Sequence, residues 1–235
     1  MMVRLGNFLF RYRNCLFPAF YLLLFWKSPG IFDDYGLAIA LGITLAVAGQ
    51  LLRALTIGLA YIVRGGKDRQ VYARGLVIEG IFAHCRNPLY LGNFLILCGL
   101  GFVANSLWFA AFGLPLFAFA YGAIIAAEED YLRRKFGQEY EEYCAQVHRF
   151  VPKLAGLRET LQGMDFKWRR LLVKEYGTAF AWMAGMLLLV MKRLWLDAHG
   201  QVTRSLLMLQ GLVVMLVIAY FCARYVKKRG IVRAD

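Results

Sequence analysis

Two groups of polar residues, on either side of a long apolar stretch, contain most of the side chains in this sequence that are suited to chemistry. The first group spans residues 74–93 and includes Arg86-Asn87-Pro88. The second group begins with two adjacent carboxylates, Glu128 and Glu129. If the apolar stretch crosses a membrane and returns, both groups lie at the same membrane face. We therefore predict a single cofactor site that is built from two sides.

The residue types in these groups are able to bind polar ligand groups. Asn87-Pro88 is typical of a helix start, and the backbone amides at a helix N-terminus bind anionic groups. The carboxylates of Glu128 and Glu129 accept hydrogen bonds from hydroxyl and ammonium groups. Taken alone, each feature also fits a structural role, as a plain helix start or as the point where a membrane span meets water.

The composition indicates that the elements around these groups are membrane helices. The chain has 235 residues, 60% of them hydrophobic, and a formal net charge of +13. Several long apolar runs place it in the membrane class. The excess of lysine and arginine is then better explained by cytoplasmic loops than by nucleic-acid binding.

Six apolar runs predict an all-α, polytopic membrane protein with about six transmembrane helices. Both chain ends and both polar groups fall on the cytoplasmic side, because the connections there are rich in lysine and arginine. Arg53 lies inside the second run and should face protein, water or headgroups. Pro115 should kink the fourth helix. The predicted spans are residues 15–26, 35–63, 89–103, 107–127, 176–191 and 206–220.

The segment that follows Glu129 predicts a helix with one apolar face. Five residues recur at spacings of three and four, which is the period of a helix face. Gly137 should bend or interrupt this helix. The residues of the face are Leu132, Phe136, Tyr140, Tyr143 and Val147.

The cysteines and histidines are dispersed along the chain, and their spacing indicates neither a disulfide framework nor a metal site. His84 is the titratable group nearest to the first polar group. It is a candidate base, although a surface histidine is the simpler interpretation.

The combined pattern resembles the integral-membrane methyltransferases. The closest resemblance is to the isoprenylcysteine carboxyl methyltransferases, and the phospholipid N-methyltransferases share a looser version. The similar stretches are residues 80–82, 86–92 and 128–129, with the apolar face described above. The resemblance covers about residues 66–153 and implies a membrane enzyme that uses S-adenosylmethionine and acts on a lipidic or prenylated small-molecule substrate.

The resemblance also assigns a set of cofactor-binding residues but no catalytic residue. The set comprises a loop ahead of Gly80, an aromatic residue two positions after that glycine, the start of the third span, and the glutamate pair. These residues are Arg74, Gly75, Leu76, Val77, Phe82, Asn87, Pro88, Leu89, Tyr90, Glu128 and Glu129.

Two positions depart from the family pattern. Asn87 stands where the family usually has histidine, and an amide carries no proton at neutral pH, so we assign it no general-base role. Ile124 stands where the eukaryotic carboxyl methyltransferases have an arginine that pairs with the substrate carboxylate. A prenylcysteine carboxylate therefore lacks its expected partner, unless Arg53 or Arg86 reaches the site.

We divide the chain into N-terminal helices (1–63), a methyltransferase core (64–154), and a basic connector with two additional helices (155–235). Besides the carboxyl methyltransferase interpretation, three alternatives stay open. They are a phospholipid N-methyltransferase, a sterol-reductase-like membrane enzyme that uses NADPH, and a non-catalytic membrane scaffold. The sequence leaves the methyl acceptor open, both in its identity and in whether oxygen or nitrogen is methylated.

Overall fold

The computed structural model describes residues 1–60 and 70–232, and the regular elements in these residues are helices. The Gly65-Gly66 part of the predicted polar loop lies outside the described residues. The eight α-helices of these described residues are α1 (Met2–Tyr21), α2 (Tyr35–Leu59), α3 (Pro88–Val103), α4 (Leu114–Phe136), α5 (Gln138–Gln146), α6 (Leu157–Gly163), α7 (Trp168–Asp197) and α8 (Arg204–Lys228).

Four helices of the described residues are long and apolar enough to cross a membrane. They are α2, α7, α8, and α4 together with the π-helical turn that precedes it. Helix α3 is apolar but shorter. The membrane character that the sequence predicted is therefore confirmed, and at least these four predicted spans correspond to suitable helices.

Two helices begin earlier than the predicted spans. The sequence predicted a first span over residues 15–26, whereas helix α1 begins at Met2; it ends at Tyr21, and a 3-10 turn, Leu22–Phe25, continues close to the predicted end. Helix α7 begins at Trp168, eight residues before the predicted start of the fifth span at Tyr176. In both helices the N-terminal part that contains charged residues and the apolar part that follows form one continuous helix, because lysine, arginine and glutamate are good helix formers.

Glycines allow α2 and α3 to pack with their backbones in contact. A Cβ atom at Gly42 would collide with the carbonyl oxygen of Gly99, and one at Gly49 would collide with that of Gly92. Small residues at such spacing are a common way for membrane helices to associate closely. On the other side of the molecule α1 packs on α4, where Gly6 lies against the backbone of Ala123.

Helix α7 packs on α2 and α3, and α8 packs on α7. Met186 and Leu189 of α7 are buried in the same hydrophobic cluster as Leu97 and Leu100 of α3. The two C-terminal helices therefore extend the helix bundle, and α7 contributes to its core.

The connector between α5 and α7 packs against the loop that precedes α3. The amide of Lys153 donates to the carbonyl of His84 at 2.9 Å, and the amide of Lys167 donates to the carbonyl of Gly58 at 2.9 Å. The ring of Phe166 lies directly over Gly58. The predicted basic connector is thus part of the fold, and it supports both the loop before α3 and the end of α2.

Candidate functional site

A cavity of about 1510 Å³ opens between the two polar groups. Its walls come from α1, α2, α3, α4, α5, the segment 71–77, the loop before α3 and parts of α7 and α8. Every cofactor-binding residue that the resemblance assigned lines this cavity: Arg74, Gly75, Leu76, Val77, Phe82, Asn87, Pro88, Leu89, Tyr90, Glu128 and Glu129. Residues that are about forty positions apart in the sequence are therefore brought together around one space.

Glu128 faces the cavity and is paired with Tyr90. The Tyr90 hydroxyl donates a hydrogen bond of 2.9 Å to the Glu128 carboxylate. The Tyr90 ring packs edge-on against Tyr121 of α4, with 5.4 Å between ring centroids. This contact joins the first turn of α3 to α4, so the two predicted halves of the site meet at this hydrogen bond.

Glu129, the next residue in α4, has a different environment. Its carboxylate accepts hydrogen bonds from Arg149 at 3.0 Å and from Arg86 at 3.4 Å, and a second bond from Arg149 completes the cluster. Successive residues of a helix point about 100° apart, which separates the two carboxylates. Glu129 thus joins α4 to the loop before α3 and to the connector, at the edge of the cavity.

The predicted start of α3 is confirmed, with Asn87 at the N-cap position and Pro88 in the first turn. The Asn87 side chain does not cap the helix. Instead its amide nitrogen donates to the carbonyl of Arg149 at 3.3 Å. The first backbone amides of a helix have no partner within it, and the first-turn residues Leu89 and Tyr90 line the cavity. This end of α3 is therefore suited to an anionic group.

The predicted apolar face after Glu129 is confirmed, as is its interruption at Gly137. Helix α4 continues to Phe136, Gly137 has φ +53°, and α5 follows. Tyr140, Tyr143 and Val147 are buried together and pack against Leu76 of the opposite loop. This cluster holds the 71–77 segment over the cavity.

Tyr143 also fixes the position of Phe82. Its hydroxyl donates a hydrogen bond of 2.7 Å to the Phe82 carbonyl. Burial raises the pKa of Tyr143 above its ordinary value, so the phenol keeps its proton at neutral pH and acts as a donor. Tyr140 and Tyr143, which the sequence placed on the apolar face, are buried in packing contacts and also line the cavity.

The interpretation of His84 as a surface histidine was wrong. The side chain is 5% exposed. One ring nitrogen lies 2.6 Å from the Lys153 carbonyl and the other lies 2.9 Å from the Thr160 hydroxyl. Both nitrogens are engaged by residues about seventy positions away, so His84 attaches the connector to the loop.

Arg53 satisfies the expectation that it faces protein. Its guanidinium binds both carboxylate oxygens of Glu175 on α7, at 2.5 and 3.0 Å. It also donates to Asn93 at 2.5 Å and to the carbonyl of Leu89 at 3.3 Å. The sequence left open whether Arg53 or Arg86 reaches the site. Both residues line the cavity, and each forms an ion pair with a glutamate.

The sequence pattern missed several cavity residues because they lie outside the stretches that carry the resemblance. Helix α1 presents one face to the cavity, and the C-terminal helices contribute a smaller part of the wall. The α1 residues are Phe10, Arg13, Asn14, Phe17, Pro18 and Tyr21, and the C-terminal residues are Lys174, Gly177, Tyr220 and Lys227. The 3–4 spacing along α1 is a signal by which that face is recognisable.

Comparison with known proteins finds one family model and several similar proteins. A family model described as phospholipid methyltransferase matches residues 37–139. The nickel-cobalt-cadmium resistance protein NccN of Alcaligenes xylosoxydans xylosoxydans is 36% identical over 118 residues, which are 50% of this chain and 50% of that protein. The cobalt-zinc-cadmium resistance protein CzcN of Cupriavidus metallidurans is 36% identical over 130 residues, 55% of this chain and 53% of that protein.

A probable protein-S-isoprenylcysteine O-methyltransferase of Oryza sativa subsp. indica is 30% identical over 125 residues, 51% of this chain and 63% of that protein. The chain thus spans about half the length of the two metal-resistance relatives and somewhat more of the rice relative. No solved structure matches the chain. The matched residues contain most of α2, all of α3, both glutamates of α4 and the start of α5, and over them the chain is similar to the phospholipid methyltransferases, which confirms the predicted resemblance.

Proposed function

We propose that this protein is a membrane methyltransferase that binds S-adenosylmethionine in the described cavity and methylates a lipidic substrate. The observation that carries the proposal is that residues within 74–90 and 128–129 line one cavity. The family resemblance requires this convergence, although the two stretches are far apart in the sequence. The similarity to isoprenylcysteine O-methyltransferases supports the same reaction class.

The residues around the cavity fit such a cofactor. The amides in the first turn of α3 suit its carboxylate, and Glu128 suits its ammonium group or its ribose hydroxyls. The volume of about 1510 Å³ exceeds that of most small-molecule sites, so it accommodates a cofactor together with part of a lipid. When bound, S-adenosylmethionine supplies an electrophilic methyl group.

The protein's own contribution to this reaction is alignment and the exclusion of water. The Tyr90–Glu128 hydrogen bond fixes a carboxylate at the cavity wall. Tyr140 and Tyr143 hold the segment 71–77 across the opposite side. A carboxylate acceptor needs no base, whereas an amine acceptor must first lose a proton. His84 is ill suited to that task, because both of its ring nitrogens are engaged.

Replacing Glu128 by glutamine tests the cofactor site. Loss of a charged hydrogen-bonding partner should weaken S-adenosylmethionine binding by roughly 1.5–3 kcal/mol. Calorimetry on the purified protein in detergent measures this change, with Glu139→Gln on the exposed surface of α5 as the matched control. Equal affinities of the two variants would contradict the proposed role of Glu128.

Titration of the wild type with S-adenosylmethionine and with NADPH separates the proposal from its alternatives. Binding of the first alone is expected. Binding of NADPH alone would favour the reductase alternative, and binding of neither would favour a non-catalytic membrane protein. The names of the two metal-resistance relatives, which are 36% identical to this chain over about half of its length, make that last outcome worth measuring.

We further propose the topology that the charge pattern predicts, with six spans, cytoplasmic ends and a cytoplasmic cofactor site. In this topology the six spans are the four long apolar helices together with α1 and α3. In a background without native cysteines, a cysteine at Gln146 should react with impermeant reagents only from the cytoplasmic side. A cysteine at Gly200, between α7 and α8, should react only from the opposite side. Labelling of both from one side would exclude this topology.

A further inference from the structure

Three residues of α7 and two of α2 form a polar strip where these two helices meet. The α7 residues Glu175, Thr178 and Trp182 recur at spacings of three and four, which places them on one face of the helix. Gln50 and Arg53 of α2 are three residues apart and bind this face. Polar and charged side chains are costly inside a membrane-spanning bundle unless they bind one another. The polar strip is therefore a specific feature of the contact between α2 and α7.

The polar strip fixes the orientation of the Arg53 side chain. The Trp182 indole donates to the Gln50 side chain at 2.8 Å, and Gln50 donates to the Glu175 carboxylate at 3.4 Å. Arg53 binds both oxygens of the same carboxylate through its Nε and Nη2 atoms. The Nη2 atom also lies 3.4 Å from the Thr178 hydroxyl. Because a bidentate ion pair defines the plane of the guanidinium group, α7 determines where the remaining nitrogen of Arg53 points.

That remaining nitrogen, Nη1, binds the start of α3. It donates to the side-chain oxygen of Asn93 at 2.5 Å and to the carbonyl of Leu89 at 3.3 Å. The aliphatic part of Arg53 lies against Gly92, where an added Cβ atom would come within 2.6 Å of the Arg53 Cγ atom. A single arginine of α2 therefore contacts three residues in the first two turns of α3.

The start of α3 forms part of the proposed cofactor site and depends on such outside contacts. The Asn87 side chain, at the N-cap position, binds the carbonyl of Arg149 in the connector instead of an amide of the helix. Leu89 and Tyr90 line the cavity, and the Tyr90 hydroxyl binds Glu128. A displacement of this turn would move both the backbone amides that suit an anionic group and the hydroxyl that binds Glu128.

We propose that Arg53 is a positioning residue for the cofactor site: it holds the start of α3 in place, and Glu175 of α7 holds Arg53. The inference rests on the proposed methyltransferase function. Arg53 and the start of α3 lie within residues 37–139, which the family model matches, whereas Glu175 lies outside them. Helix α7, one of the two helices beyond the family resemblance, is thus part of the structure that shapes the cofactor site.

The double variant Arg53→Leu/Glu175→Leu separates positioning from stability. Two apolar side chains replace the buried ion pair, so the free energy of unfolding should stay close to that of the wild type. The bonds to Leu89 and Asn93 are nevertheless lost. Hydrogen exchange at the amides of residues 91–96, measured by mass spectrometry on the full chain in detergent, should become about 10-fold faster or more, the lower end for loss of a hydrogen bond to a charged group. Calorimetry should show a loss of affinity for S-adenosylmethionine of similar size.

Gln50→Leu is the matched control on the same strip. Gln50 bonds to Glu175 and to Trp182, so its replacement also weakens the contact between α2 and α7. Arg53 keeps its bonds to α3 in this variant. Exchange at residues 91–96 and affinity for S-adenosylmethionine should therefore stay close to those of the wild type.

Asn93→Leu decides the question if the double variant does not fold. It leaves the ion pair of Arg53 with Glu175 intact and removes an acceptor on α3, so exchange at residues 91–96 should still become faster. Wild-type exchange in either folded variant would overturn the inference.

Cofactor binding distinguishes this inference from the proposed function. If the double variant is stable and exchanges faster but binds S-adenosylmethionine as tightly as the wild type, Arg53 only stabilises the helix and the positioning role is refuted. If the wild type does not bind S-adenosylmethionine, the proposed function itself fails, and the exchange rates still decide whether Arg53 holds the start of α3.

Discussion

Two clusters of arginine and glutamate border the same cavity, and they differ in their access to solvent. In the Arg53–Glu175 cluster the side chains are 2% and 3% exposed. In the Glu129 cluster the carboxylate is 7% exposed, but the Arg149 side chain is 47% exposed. The first cluster joins α7 to α2 and α3 inside the bundle, and the second joins the connector to α4 at the rim.

This difference in exposure indicates different energetic roles. An ion pair sealed from water is costly to break, because the remaining charge stays buried without compensation. An ion pair with one exposed partner is replaced by water at little cost. The Arg53–Glu175 cluster should therefore determine the stability of the bundle, whereas the Glu129 cluster should mainly orient the loops around the cavity.

The largest effect is expected for Glu175→Leu, which removes the carboxylate that faces the buried Arg53 guanidinium. The free energy of unfolding should fall by roughly 3–5 kcal/mol. Thermal unfolding in detergent, read by the loss of tryptophan fluorescence or of soluble monomer, measures the change.

The double variant Arg53→Leu/Glu175→Leu is the control for that experiment. Replacing both charges by apolar side chains is often neutral, so it should recover most of the lost stability. A double variant no more stable than Glu175→Leu would show that the charge itself is not the cause. If Glu175→Leu is as stable as the wild type, the two clusters do not differ in their contribution to the free energy of unfolding.

The smallest effect is expected for Arg149→Met at the cavity rim. Arg86 remains beside Glu129, and solvent reaches the position that Arg149 leaves, so the loss should be about 0–1 kcal/mol. The same unfolding measurement applies. Arg133→Met, which removes an exposed ion pair with Glu141 on the surface of α4 and α5, is the matched control. A loss near that of Glu175→Leu would show that the rim cluster also seals the fold.

The sequence predicted the main helices well because they depend on local patterns, whereas the converging residues came from the family resemblance. Apolar runs reveal long helices, and Asn87-Pro88 marks a helix start. The role of α1 was missed because its arginines were interpreted as topogenic charges, and the charge of Arg13 alone does not reveal which wall it faces. The burial of His84 depends on Lys153 and Thr160, whose approach no local pattern encodes.

The order of synthesis gives the connector a further significance. The loop before α3 is held by residues that follow it much later in the chain: the amide of Arg86 donates to the carbonyl of His148, and His84 binds Lys153 and Thr160. Arg53 likewise meets Glu175 only when α7 has been made. Since a chain emerges from its N-terminus, α2 and α3 are complete well before these partners exist. The cavity is therefore among the last parts of the protein to close, and a chain that stops before α7 leaves Arg53 without the carboxylate of Glu175.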